Sequence, residues 1–132
     1  RTHRVELEGG SLTLITVNAS TPEKRLDAWE ADLAGVHEAA TAHSSEPVLL
    51  IGDFNAVREH LTMRQLTASG LTDAVDQTGA GWLPTFPANR WYPPLFAIDH
   101  VMVNDRLRVL SLSTFDIKGA DHLGLVAQIA LS

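Results

Sequence analysis

The chain has no cysteine, few aromatic residues and no long hydrophobic run. Without cysteine, neither a disulfide nor a thiolate metal site can form. No apolar stretch approaches the roughly 20 residues that a membrane helix needs, and the opening residues Arg1–Arg4 do not resemble a signal peptide. We therefore expect no membrane span in these 132 residues.

Basic residues are also scarce, because 10 Lys and Arg face 16 Asp and Glu, for a net charge of -6. This balance argues against a broad electrostatic grip on nucleic acid, which normally leaves a basic footprint. It fits a site that collects divalent cations better. The apolar fraction of 45% and charged fraction of 20% are ordinary for one globular domain. Since the chain has no initiator Met, we interpret it as a piece of a longer protein.

An amphipathic helix is predicted for Thr21–Ala42, after a hairpin formed by Arg4–Leu7 and Leu12–Val17. Thr21 before Pro22 is typical of a helix start. Apolar residues then recur at spacings of three and four, as one buried stripe requires. The residues of this stripe are Leu26, Trp29, Leu33 and Val36.

The rest of the chain predicts short helices, a long loop and further strands. Leu61–Ser69 is typical of a short helix that ends at Gly70, and Leu71–Val75 of another helical turn. Gly79–Pro94 is rich in Gly, Pro and aromatic residues and predicts an ordered loop. The predicted strands are Val48–Ile51, Ile98–Val103, Val109–Phe115 and Leu125–Leu131. This order predicts an α/β (α+β) fold: one mixed, mostly antiparallel sheet of five to six strands with helix cover on one face.

Acidic residues stand at the ends of three predicted strands. Asp53 and Asn55 follow the apolar run Val48–Ile51, and they can share one side of the strand because successive residues point to opposite faces. Asp99 lies at the start of the next strand, and Asp121-His122 precedes the last one. We therefore expect these side chains to converge at one end of the sheet, with Asp99 roughly 3 Å from His122.

The motifs that carry these residues resemble a known family. They are LLIGDFN at Leu49–Asn55, IDHVMV at Ile98–Val103 and ADH at Ala120–His122, with Thr85-Phe86 in the loop between. In this order they resemble the endonuclease/exonuclease/phosphatase superfamily, which includes DNase I-like nucleases, apurinic endonucleases, inositol-phosphate phosphatases and sphingomyelinases. The resemblance implies that residues 1–132 are the C-terminal half of such a domain, one half of a DNase I-like two-layer β-sandwich.

The resemblance also implies a metal-dependent phosphoesterase and assigns roles to five residues. Asp53 would accept a proton from the attacking water, and Asn55 would donate to a phosphate oxygen. His122 would donate to the developing charge, while Asp99 would orient its imidazole and raise its pKa. Asp121 and Asp53 would bind Mg²⁺ or Mn²⁺, which prefer oxygen ligands. The substrate would be a phosphoester in a nucleic acid, a phosphoinositide or a phospholipid headgroup.

Some features depart from the family pattern. The metal-binding Glu and the strand-end Asn of the family's first half have no matching motif here. The strand Leu12–Val17 usually runs into a His or Tyr, whereas this chain reads Asn18-Ala19-Ser20, and Ala120 replaces a Ser. A catalytically silent interaction module of the same fold is therefore the alternative function. We expect weak Mg²⁺ binding and poor activity from this chain alone.

Two simpler interpretations and one other function class stay open. The pair Asp53 and Asn55 can also form a plain Asx turn at a strand end. Asp53 can also be the acceptor of a phosphate-accepting receiver, but the last three strands lack the intervening helices of such folds. His100, on the opposite strand face from Asp99, is interpreted as a packing or surface residue.

Other side chains outside the motifs are interpreted as structural. The loop aromatics are expected to pack on their own domain, with Arg90 as an alternative phosphate contact. The aromatics are Trp82, Phe86, Trp91, Tyr92 and Phe96. Halving a two-layer fold leaves one apolar sheet face without cover, so we expect a missing N-terminal half or a homodimer to cover it.

Overall fold

The structure, a computed structural model, describes all residues 1–132. Its elements follow in the order β1 (Thr2–Leu7), β2 (Gly10–Asn18), α1 (Leu26–Ala42), β3 (Val48–Asp53), α2 (Leu61–Ala68), β4 (Thr72–Asp73), α3 (Ala74–Thr78), β5 (Asp99–Val103), β6 (Leu107–Phe115) and β7 (Gly124–Leu131). The strands form a five-stranded sheet in the order β1-β2-β3-β5-β4 and a separate two-stranded sheet of β6 and β7.

The five-stranded sheet is mixed, because β2 and β3 run parallel while every other neighbouring pair is antiparallel. Helix α1 makes the crossover between the two parallel strands, as such a connection requires. The predicted α/β (α+β) class with a mostly antiparallel sheet is therefore confirmed. None of the three helices combines the length and apolar character needed to cross a bilayer.

One core lies between the sheet and helices α1 and α2. Trp29 and Leu33 of α1 are buried there against Leu50 of β3, and Val36 packs on the same cluster. Leu26 is the exception in the predicted stripe, since it is 56% exposed. Leu26 is the first residue of α1 and does not belong to the apolar cluster.

Two predicted elements differ from the structure, one for a local reason and one for a non-local reason. The helix starts at Leu26 rather than at Thr21, because the Thr21 carbonyl accepts from the amides of Lys24 and Arg25 and closes a separate turn. Within Leu71–Val75, Thr72 and Asp73 form β4 instead of a helical turn. Pairing with β5 supplies hydrogen bonds that a local sequence pattern does not reveal.

The prediction of a single sheet was also wrong. Strands β6 and β7 turn away after Asn104 and pack as a second layer on the face opposite α1. A second core joins Val101 and Val103 of β5 to Leu107 and Val109 of β6. The expected uncovered sheet face is thus covered in part by the chain's own C-terminal hairpin.

Candidate active site

Asp53 and Asn55 lie at the end of β3, where the backbone is tightly constrained. Gly52 has φ +137°, and a Cβ at this position would lie 2.0 Å from the Val17 carbonyl oxygen of the neighbouring strand. Only glycine allows β2 and β3 to approach this closely. The close approach places the first residue after Gly52, Asp53, beside the end of β2, in register with Asn18.

The segment after Asp53 is an Asx turn. The Asn55 amide donates to Asp53 Oδ1 at 2.7 Å, and Asn55 has φ +45°, which is uncommon for a residue other than glycine. Asn55 Nδ2 also donates to the Ala19 carbonyl at 2.8 Å. The simpler interpretation as an Asx turn is correct, but Oδ2 of Asp53 stays outside that turn.

Asp99, the first residue of β5, lies opposite Asp53 across the antiparallel pair β3–β5. Its Oδ2 accepts from the hydroxyl of the fully buried Thr85 at 2.6 Å and from Nδ1 of His122 at 2.7 Å. The distance to His122 agrees with the expected hydrogen bond. Thr85 belongs to the small Thr-aromatic signature of the loop, so that signature has a structural role beside Asp99.

His122 precedes β7 and completes the cluster. Because Nδ1 donates to Asp99, Nε2 is free on the other side of the ring and lies 3.8 Å from Asp53 Oδ2. The ring also contacts Phe86, with centroids 4.9 Å apart. Phe86 therefore packs against the site residue itself, a contact that the prediction of loop packing did not anticipate.

Asp121 lies at the rim. Its side chain is 63% exposed, and Oδ1 is 4.0 Å from His122 Nε2. All five site residues predicted from the sequence thus lie in one region at the same end of the five-stranded sheet, with Asp53, Asp99 and His122 closest together. Arg90 and Trp91, in contrast, are exposed on the outer part of the loop, and Trp91 is 95% exposed.

The surroundings in the cluster raise the pKa of two side chains, Asp53 and His122. Burial raises the pKa of Asp53, and the charges of Asp99 and Asp121 raise it further, although the Asn55 amide and His122 act in the opposite direction. For His122, burial disfavours the cation, but the hydrogen bond to Asp99 and the surrounding carboxylates outweigh it and raise the pKa of the imidazole. The site therefore holds a base with a raised pKa next to an acid with a raised pKa.

The donor set fits a hard divalent cation. Asp53 and Asp121 supply carboxylate oxygens, the ligand type that Mg²⁺ and Mn²⁺ prefer. His122 is the only basic side chain paired with the three carboxylates, and their mutual repulsion contributes to the raised pKa of Asp53. Asp99 is less suited as a ligand because its Oδ2 already accepts from both Thr85 and His122.

A cavity of about 460 Å³ lies behind the cluster and is distinct from it. It opens between the two sheets on the α3 side and shares Asp99 with the cluster, whereas Asp53, Asn55 and His122 do not line it. Its walls are mostly apolar and include Val75, Trp82, Leu83, Leu95, Leu112 and Leu125. This mostly apolar cavity is therefore not the opening at which the cluster's polar groups meet.

The fold and the cluster define a protein of the endonuclease/exonuclease/phosphatase class. The model of the Endonuclease/Exonuclease/phosphatase family matches residues 3–122. The chain belongs to this family. Comparison with curated protein sequences gave no significant match.

Solved structures show the same fold. A functionally unknown conserved protein from Enterococcus faecalis V583 aligns with a TM-score of 0.76 and 23% identity over 94% of this chain and 52% of its own. An endonuclease/exonuclease/phosphatase from Beutenbergia cavernae aligns with a TM-score of 0.74 and 22% identity, over 98% of this chain and 38% of its own. The 3′ phosphatase NExo from Neisseria, bound to a product DNA hairpin, aligns with a TM-score of 0.72 and 16% identity, over 98% of this chain and 65% of its own. The chain thus spans about half the length of these proteins.

Sequence reasoning missed several contacts that fix the site. The indole Nε1 of Trp29 donates to the Phe54 carbonyl at 3.1 Å, although Trp29 was interpreted only as a core residue. His100 is a buried residue with two hydrogen bonds, which makes it a packing residue and not a surface one. Periodicity identifies such residues as buried but does not reveal which carbonyl they bind.

Proposed function

We propose that this chain carries the acid–base and phosphate-binding residues of a metal-dependent phosphoesterase. The observation that carries the proposal is the alignment of three side chains: Asp99 bonds Nδ1 of His122, which turns Nε2 toward Asp53 Oδ2 at 3.8 Å. The cluster thus places a proton acceptor beside a proton donor, a pair of groups that phosphoester hydrolysis can use.

In the proposed mechanism each group acts at a stated atom. Asp53 Oδ2 accepts a proton from the attacking water, and its raised pKa brings this base closer to neutral operating conditions. His122 donates from Nε2–H to the charge that develops on phosphate, and its raised pKa favours the cation needed for this. Asn55 donates its second amide hydrogen to a phosphate oxygen, because the first is held by Ala19.

The metal belongs to the same proposal. Asp53 and Asp121 would hold Mg²⁺ or Mn²⁺, and the bound ion would neutralise negative charge on the phosphate oxygens. The remaining ligands would come from water or from another part of the protein. We propose that an N-terminal half supplies a further carboxylate, since the chain covers only 38% to 65% of the length of three proteins with the same fold.

The substrate is proposed at the level of the phosphoester. Nucleic acids, phosphoinositides and phospholipid headgroups all present the phosphate that this cluster would bind. The similar NExo protein is a phosphatase bound to a DNA hairpin, which supports testing a DNA 3′ end. The net charge of -6 favours a substrate held at one phosphate over one gripped along a long backbone.

Release of p-nitrophenol from bis(p-nitrophenyl) phosphate tests the proposal. We expect slow release that requires Mg²⁺ or Mn²⁺, disappears with EDTA and is lost in Asp53→Asn. Asp116→Asn, which removes an exposed carboxylate in the loop before β7, is the matched control and keeps the wild-type rate. Equal rates in the two variants would contradict the assigned role of Asp53.

A catalytically silent interaction module is the second candidate, and the end of β2 favours it. Where the family pattern has a His or Tyr, this chain has Asn18, whose exposed side chain lies level with Asp53. If the folded protein shows no metal-dependent release of p-nitrophenol from bis(p-nitrophenyl) phosphate, this result would support the silent module.

A further inference from the structure

His100 is a buried polar residue that the proposed mechanism does not use. Its side chain is 6% exposed, Nδ1 lies 2.8 Å from Asp73 Oδ2, and Nε2 lies 2.7 Å from the carbonyl oxygen of Ala56. Its ring meets the fully buried ring of Phe54 edge-on, with centroids 5.3 Å apart. A merely space-filling residue at this position would need neither hydrogen bond.

The Ala56 carbonyl belongs to the segment that presents Asn55. Three hydrogen bonds hold this segment. Trp29 Nε1 bonds the Phe54 carbonyl, and His100 Nε2 bonds the Ala56 carbonyl. The Asn55 side chain donates outward to the Ala19 carbonyl. Between the two anchored carbonyls, Asn55 has φ +45°. Such a conformation costs free energy and persists only when the surroundings impose it.

We propose that His100 is a positioning residue that imposes this conformation and so aims the side-chain carboxamide of Asn55 at the bound phosphate. The inference rests on the proposed function, because the aim of Asn55 matters for catalysis only if Asn55 binds phosphate. His100 does not touch the substrate. It acts through the Ala56 carbonyl and through Phe54, the residues on either side of Asn55.

Asp73 sets the hydrogen-bonding state of the ring. Its Oδ1 accepts from the Val75 amide as the N-cap of α3, and its Oδ2 faces His100. Nδ1 of His100 thus faces a carboxylate, and Nε2 faces a backbone carbonyl. In Asp73→Asn the carboxamide can donate to Nδ1, and Nε2–H can still donate to the Ala56 carbonyl. This variant therefore keeps the bond that the proposal requires.

The first experiment measures the segment itself, by hydrogen exchange in NMR spectra of the metal-free chain. His100→Phe keeps an aromatic ring against Phe54 but loses both hydrogen bonds. In this variant we expect the hydrogen-exchange rates of the Asn55 backbone amide and the Trp29 indole N–H to rise on the order of tenfold. Asp73→Asn should leave both sites near wild type. Val103→Ala, a buried change in the same strand but in the other core, is the control for general loss of stability.

The second experiment measures hydrolysis of bis(p-nitrophenyl) phosphate by the same four proteins. We expect kcat of His100→Phe to fall on the order of 10²-fold, because a displacement of about 1 Å can have that effect, with little change in KM. Val103→Ala and Asp73→Asn should keep kcat. Exchange or kcat that changes equally in His100→Phe and Val103→Ala would overturn the proposal. If the wild type shows no turnover, the proposed function fails, and the exchange data alone decide whether His100 holds the segment.

Discussion

Nδ1 of His122 lies 2.7 Å from Oδ2 of Asp99, although the two residues are 23 positions apart and stand at the ends of strands in different sheets. The hydrogen bond therefore links the two layers at the point where the polar cluster forms. The loop before β5 holds the backbone on both sides of His122, since the Leu123 amide donates to the Thr85 carbonyl and the Ala88 amide donates to the Asp121 carbonyl. The hydrogen bond to Asp99 makes the charge of His122 a reporter of both the site and the contact between the sheets.

We predict that Asp99→Asn lowers the pKa of His122. The wild-type pKa is raised, against the effect of burial, by the hydrogen bond and the charge of Asp99, and the neutral amide removes that charge. Titration of the His122 ring proton by NMR measures the change. Activity toward a phosphoester should fall by about 10²-fold or more, the usual loss when general acid–base catalysis is impaired. The same pKa in Asp99→Asn and Asp116→Asn would show that Asp99 does not control the ring.

The raised pKa of His122 also predicts a pH dependence of stability. The folded state binds this proton more tightly than the unfolded state, so the contribution is fully present below the unfolded value of about 6.5. It is lost as pH rises through the folded pKa. The free energy of unfolding of the wild type should therefore exceed that of His122→Gln by more at pH 5.5 than at pH 9. Urea unfolding at both pH values tests this, and a difference with the opposite sign would refute it.

Asp53 should destabilise the metal-free protein at neutral pH. Its folded pKa is raised, chiefly by burial, so the stability that its protonated form contributes at low pH is lost as pH rises through the folded pKa. Asp53→Asn keeps the acceptor for the Asn55 amide and removes the charge. With EDTA at pH 7 we expect Asp53→Asn to melt higher, by roughly 4 °C for each 1 kcal/mol gained. The gain should vanish below the ordinary pKa of 3.8. A lower melting temperature at pH 7 would contradict the role of burial.

The hydroxyl of Thr85 should contribute to stability through Asp99. Thr85 is fully buried and donates to the carboxylate at 2.6 Å. Thr85→Val preserves the shape but leaves the carboxylate with one donor fewer, and a hydrogen bond to a charged group is worth about 1.5–3 kcal/mol. Thr85→Ser retains the hydroxyl and is the matched control. Urea unfolding should show a clearly larger loss for Thr85→Val, and a loss no larger than that of Thr85→Ser would show that the hydroxyl contributes no more to stability than the methyl group.

The sequence predicted which polar side chains lie together better than it predicted the arrangement of the sheets. Asp53 and Asp99 stand at the ends of strongly apolar strands, and such strands are recognisable from the sequence. The expected hydrogen bond between Asp99 and His122 agrees with the structure. The two-layer arrangement depends on β6 leaving the first sheet after Asn104. There the Asn104 side chain accepts from the Val48 amide and donates to the Glu46 carbonyl. Such non-local pairings override local patterns, as they do for β4.

The final prediction concerns the open side of the two-layer fold. Strand β7 pairs only with β6, while the other edge of β6 is closed by α3, where the Gln77 side chain accepts from the Val109 amide. Between β7 and β3 lies a cavity of about 370 Å³ lined mainly by apolar side chains, among them Leu49, Ile51, Ala127 and Ile129. An unpaired strand edge beside an apolar cleft favours pairing with another strand.

We therefore expect the purified chain to self-associate through β7. A separately added N-terminal half should bind the same edge in place of the second copy. Sedimentation across a dilution series should show a dimer that dissociates, and hydrogen exchange at the outward amides of β7 should slow as concentration rises. The exposed strand β1, at the edge of the other sheet, is the internal control and should not change. A compact monomer at high concentration, with β7 amides that exchange equally fast at every dilution, would show that the C-terminal hairpin alone is sufficient cover for the sheet.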